Sequence, residues 1–74
     1  MVEKYVNYYI PDREKQILEL VADGKTNRQI GVVLNISTHT VKNTLSRAFI
    51  RLDVKSRAHA VAVAIDRGLI KNKG

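Results

Sequence analysis

The sequence predicts an all-α fold, a small domain of four short helices packed as a compact tetrahelical bundle. Three observations predict it. Apolar residues recur at helical spacing in four separate stretches, each stretch opens on a residue that starts or caps a helix, and the connections between them run to about two to four residues. A chain of 74 residues has room for one core only. A hydrophobic fraction of 45% with a single Pro is too apolar for a disordered tail.

Residues 1–9, with Tyr5, Tyr8 and Tyr9, show no clean period and read as an arm. The first helix opens near Pro11, whose fixed φ suits a first helical position, and Asp12 and Glu14 sit where the helix dipole favours acids. Ile17, Leu18, Leu20 and Val21 face its core, and Gly24 ends it in a left-handed cap. Thr26-Asn27-Arg28-Gln29 is a capping box, so a second helix starts there, carries Ile30, Val33 and Leu34, and stops after about two turns at Asn35. Ser37 caps a third helix, expected from Thr38 to Leu52, whose stripe of Val41, Leu45, Ala48, Phe49 and Leu52 is the buried face. Ser56 caps a fourth helix running to about Arg67, with Gly68 as its end and Leu69 and Ile70 folding back. Residues 71–74 form a tail. A short second helix, a tight turn and a longer third helix together describe a helix-turn-helix, and helices two and three share too few turns to pack side by side as an elongated bundle.

The net charge is +6, and its placement matters more than its size. Residues 1–23 hold three basic and five acidic side chains, whereas residues 24–74 hold ten basic and two acidic ones. Between Gly24 and Leu52 there is no carboxylate at all. A polyanion is the natural partner of such a stretch, because each neutralised phosphate releases condensed counterions. On a helical wheel the third helix presents His39, Asn43, Ser46, Arg47 and Ile50 opposite its apolar stripe, with Lys42 on the flank. An ordinary solvated helix face mixes charges of both signs, and this one has no acid. Arg and Lys can donate to guanine and Asn can pair with adenine, so Lys42, Asn43, Ser46 and Arg47 are the candidate base-facing residues. Thr26, Asn27, Ser37, Thr38, His39, Thr40, Arg51, Lys55 and Arg57 are the candidate phosphate contacts, Ser37, Thr38 and Thr40 beside free amides at the helix start.

These residues also resemble a known family. Ile10-Pro11-Asp12-Arg13-Glu14, Ile17-Leu18, Gly24-Lys25-Thr26-Asn27-Arg28-Gln29-Ile30, Ile36-Ser37, Thr40-Val41-Lys42-Asn43 and Lys55-Ser56-Arg57 followed by Ala60-Val61 form an ordered string of motifs. That string, over residues 10–70, is similar to the LuxR-type (GerE-like) DNA-binding domain. The resemblance implies a tetrahelical bacterial transcription regulator that binds operators as a dimer with its third helix in the major groove. It points to Lys42, Asn43 and Ser46 as base-facing, and to Ser37, Thr40 and Lys42 at the groove edge. The chain departs from the family pattern at Pro11, where a capping Thr or Ser is usual, at Asp53, where Gly is usual, and at Gly31, where Ala is usual. Val32 and Val33 stand where charged residues are common.

The fourth helix carries two apolar faces, and the expectation is that Ala58, Val61, Ala62 and Ile65 pack inward. Ala60, Val63 and Ala64, with Arg67, would then meet a second copy about a two-fold axis and set two recognition helices about 34 Å apart. The expected partners are double-stranded DNA and a second copy of the chain, with RNA polymerase a further candidate and no membrane. The alternative reading is a helix-turn-helix that acts as a protein-interaction module on RNA polymerase or another regulator. No catalytic or metal-binding constellation is present: His39 and His59 stand twenty residues apart, and there is no phosphate loop or nucleophile elbow. The expectation is therefore a non-enzyme without cofactor. With no Cys and no basic segment leading into an apolar one at the start, a cytoplasmic setting is expected.

Overall fold

The computed structural model describes residues 9–71; the expected arm and tail lie outside this range apart from Tyr9 and Lys71. Four helices follow in order: α1 (Asp12–Ala22), α2 (Asn27–Leu34), α3 (Thr38–Leu52) and α4 (Arg57–Asp66). The third helix packs on each of the other three and forms the centre of the domain.

Local chemistry sets the boundaries. Thr26 Oγ1 accepts from the Gln29 amide at 3.1 Å while Gln29 Oε1 accepts from the Thr26 amide at 2.9 Å, which completes the capping box at the start of α2. Ser37 and Ser56 cap α3 and α4 by accepting from the Thr40 and His59 amides. Pro11 stands at the N-cap of α1 and makes no side-chain cap.

All four helices end in the same way. Gly24, Asn35, Asp53 and Gly68 take left-handed conformations with φ of 90°, 58°, 57° and 74°. The amide that follows each of them donates back five residues, Lys25 to Leu20, Ile36 to Gly31, Val54 to Phe49 and Leu69 to Ala64. This Schellman closure satisfies carbonyls that the helix itself cannot. Three of the four returning residues, Ile36, Val54 and Leu69, are apolar, so those three closures also turn a side chain toward the core. Asp53 bears the left-handed conformation that its replacement of a usual Gly requires, and a short polar side chain tolerates it.

The core draws Ile17, Leu18 and Val21 from α1, Ile30 from α2, Val41, Leu45, Ala48 and Leu52 from α3, and Ala60 and Ala64 from α4. Full burial of each large member, such as Ile17 or Leu18, contributes about 1.5–3 kcal/mol. Gly31 marks the tightest approach. A Cβ at this position would stand 2.7 Å from the Ile36 carbonyl oxygen and 3.5 Å from the Thr38 amide nitrogen, so the absence of a side chain lets the turn close directly over α2.

The alanines of α4 lie on the opposite faces from those expected, while Val61 and Ile65 pack against the core as expected. Ala60 and Ala64 are fully buried in the domain's own core, while Ala58 and Ala62 are exposed, so the two alanines expected to meet a second copy cannot reach one. The reason is visible in Arg57-Ala58-His59-Ala60-Val61-Ala62-Val63-Ala64-Ile65. Alternating small and branched apolar residues leave almost no polarity difference around the helix, so packing distance decides. Alanines one turn apart let α4 lie close on α1 and α3, and Val61, Val63 and Ile65 fill the flanks half-buried.

Candidate nucleic-acid interface

Once Val41, Leu45, Ala48 and Leu52 are locked inward, α3 must turn Lys42, Asn43, Ser46 and Arg47 to solvent, and all four are exposed. Ile50 continues the same face and is 80% exposed. At the amino end, Ser37, Thr38, His39 and Thr40 are exposed as well. The first turn of α3 contains no acid, so the positive end of the helix dipole is left uncompensated there. Neutral hydroxyls, helix-start amides and cations lie on one surface, with no carboxylate between Gly24 and Leu52, and groups of this chemistry can bond anions and base edges.

Hydrogen bonds within the helix decide what each side chain can still offer. The Ser37 hydroxyl accepts from the Thr40 amide at 3.0 Å and donates to Thr40 Oγ1 at 2.9 Å, which frees the Thr40 proton to point outward. Ser46 Oγ donates to the Lys42 carbonyl at 3.1 Å, so it faces solvent as an acceptor. One Arg47 Nη donates to Thr44 Oγ1 at 3.2 Å, which satisfies a threonine that is only 2% exposed and leaves most of the five-donor fork for a ligand. The Asn43 amide lies 3.1 Å from His39 Nε2.

Two of the expected phosphate contacts, Asn27 and Arg57, bond each other, and a third, Arg51, is engaged through Nε alone. Arg51 Nε donates to both oxygens of Glu14, at 3.0 and 3.1 Å, and this carboxylate is 3% exposed. Arg51 therefore pins α3 to α1. Arg57 donates to Asn27 Oδ1 at 2.6 Å and to the Lys25 carbonyl at 2.7 Å, which ties the start of α4 to the start of α2. Both pairs join residues thirty or more positions apart, so no local pattern announces the partner. One signal was available: Glu14 lies three and four residues before Ile17 and Leu18, on the apolar stripe of α1, and a carboxylate there needs a cation to pair with it. Thr26 is exposed with its capping role filled, and Lys55 is exposed in the loop between α3 and α4.

The family profile described as bacterial regulatory proteins, luxR family, matches residues 10–64. The chain belongs to the LuxR family. Its four helices superpose on the structure of the transcription factor GerE with a TM-score of 0.82 and 26% identity, covering 86% of this chain and 96% of that one. The LuxR-type domain is also 42% identical over 62 residues to the transcriptional regulatory protein DesR of Bacillus subtilis, covering 84% of this chain and 31% of DesR. A Vibrio cholerae VqmA chain from a ligand and DNA complex superposes with a TM-score of 0.77 and 25% identity, over 93% of this chain and 30% of that one. The chain thus spans under a third of DesR and of VqmA, and nearly all of GerE. It carries a LuxR-type helix-turn-helix domain of transcription regulators. Among the described residues no helix is long and apolar enough to cross a membrane.

Proposed function

We propose that this chain binds double-stranded DNA in the bacterial cytoplasm and regulates transcription, with α3 lying in the major groove. The observation that carries this reading is the α3 surface, where Lys42, Asn43, Ser46 and Arg47 stand outward without a carboxylate among them. Thr26, Ser37, Thr38, Thr40 and Lys55, with the outer nitrogens of Arg51, hold the DNA backbone, while the Arg51–Glu14 and Arg57–Asn27 bonds support the scaffold. The DNA complex of VqmA and the naming of DesR as a transcriptional regulator support it. Selection of duplexes from a random pool by the full chain is expected to enrich a palindrome. Lys42→Ala and Arg47→Ala are each expected to weaken the selected duplex by about 1–3 kcal/mol where the contact is to a base. Unchanged affinity in both variants would remove α3 from the groove.

The same reading places two copies on the operator through the outward side of α4, where Val63 and Arg67 remain half-buried beside exposed Ala62. Ala60 and Ala64 belong to the core and take no part. Val63→Glu is expected to convert a dimer to monomer in sedimentation equilibrium and to lower operator affinity. A wild-type chain that is already monomeric when bound to the selected duplex would end the two-fold arrangement.

A second reading, contact with another protein such as RNA polymerase, is supported by α2. Val32 and Val33 are 78% and 55% exposed beside Lys25 and Arg28. DNA affinity that falls steeply with salt separates the first reading from a module that acts through protein contact alone.

A further inference from the structure

The hydrogen bond between His39 and Asn43 has a chemical consequence for base recognition. Both residues are exposed, one helical turn apart on the outward face of α3, with Asn43 Nδ2 3.1 Å from His39 Nε2. A carboxamide has two N–H donors and one acceptor oxygen. Reading adenine in the major groove uses the oxygen, which accepts from N6, and the N–H beside it, which donates to N7. The remaining N–H points away from the base. In this structure Asn43 Nδ2 faces His39 Nε2, and an imidazole accepts there when its proton sits on Nδ1, so the pair can engage that spare N–H.

We propose that His39 is a specificity-determining positioning residue: by accepting the spare Asn43 N–H, it fixes the carboxamide in the orientation that reads adenine and rejects guanine. Guanine presents O6 where adenine presents N6, so a fixed Asn43 oxygen meets a second acceptor and is repelled. Without the imidazole, the terminal amide rotates freely and can offer its NH2 group to the guanine acceptors instead. His39 acts on the base through Asn43 and makes no base contact of its own. This inference rests on the placement of α3 in the major groove proposed above.

The test uses the full chain and duplexes selected from a random pool. Asn43→Ala locates the base-pair position that depends on Asn43, expected to be an adenine. At that position His39→Ala is expected to lower the preference for adenine over guanine about tenfold, with the far-ultraviolet circular dichroism of the wild type. His39→Gln is expected to restore it, because a glutamine oxygen can accept from an asparagine four residues on. Replacing that adenine by 7-deazaadenine, which lacks the N7 acceptor, should weaken binding of the wild type, and unchanged binding would overturn the inference. Full adenine preference in His39→Ala, or a uniform loss across all duplexes, would overturn the inference and make His39 a phosphate contact. A selected motif with no position sensitive to Asn43→Ala would also overturn it while leaving DNA binding intact, whereas enrichment of no motif by the wild type would end the underlying reading as well.

Discussion

Gly31→Val is expected to destabilise the domain by about 3 kcal/mol, seen as a fall of roughly 10–20 °C in melting temperature for a domain of this size. The Cβ alone would lie 2.7 Å from the Ile36 carbonyl oxygen, and that oxygen belongs to the turn backbone, which cannot rotate aside as a side chain can. Valine adds two methyl groups at the same point. The turn must then open, which strains the Ile36 to Gly31 hydrogen bond and lifts the start of α3 from α2. Gly31→Ala is expected to cost less, because better helix propensity returns up to about 1 kcal/mol. Thermal unfolding followed by circular dichroism measures both, and a Gly31→Val protein that melts within two or three degrees of the wild type would show that the turn is not tightly closed.

The second large effect separates the two sides of α4. Ala64→Glu is expected to abolish the folded state at 25 °C, since a carboxylate placed at a fully buried site among apolar core residues costs several kcal/mol. A 74-residue domain has only about 4–11 kcal/mol to lose. Val63→Glu, one residue away, is expected to keep a cooperative melt because its side chain can turn to water. Near-ultraviolet dichroism and denaturant titration distinguish the pair. Equal stability of the two variants would mean that α4 is not seated on Ala60 and Ala64.

These two sites also show what the sequence makes legible. The helix limits are local chemistry: Thr26, Ser37 and Ser56 announce three starts, and Gly24, Asn35, Asp53 and Gly68 announce the ends. The limits of α3 agree with the expectation of Thr38 to Leu52. The outward set on α3 follows from its apolar stripe in the same way. The seating of α4 was not legible because its residues differ in size more than in polarity, and size selects a face only when another helix is present. The bonds of Arg51 and Arg57 within the domain were not legible for a related reason. Charge can be counted along a chain, but whether a cation is already spent depends on which element folds over it, and Glu14 arrives from 37 positions away.

The two ties on α3 act at opposite ends. Gly31 seats its first turn against α2, and the Glu14–Arg51 pair holds its last turn against α1. A rod clamped at both extremities has little freedom left to surrender to a ligand. Most of its ordering cost is met at folding and does not recur on association. On the proposed reading such a surface would dock as a rigid body, and any accommodation needed for a close fit would fall to the duplex, through the flexibility of its base-pair steps.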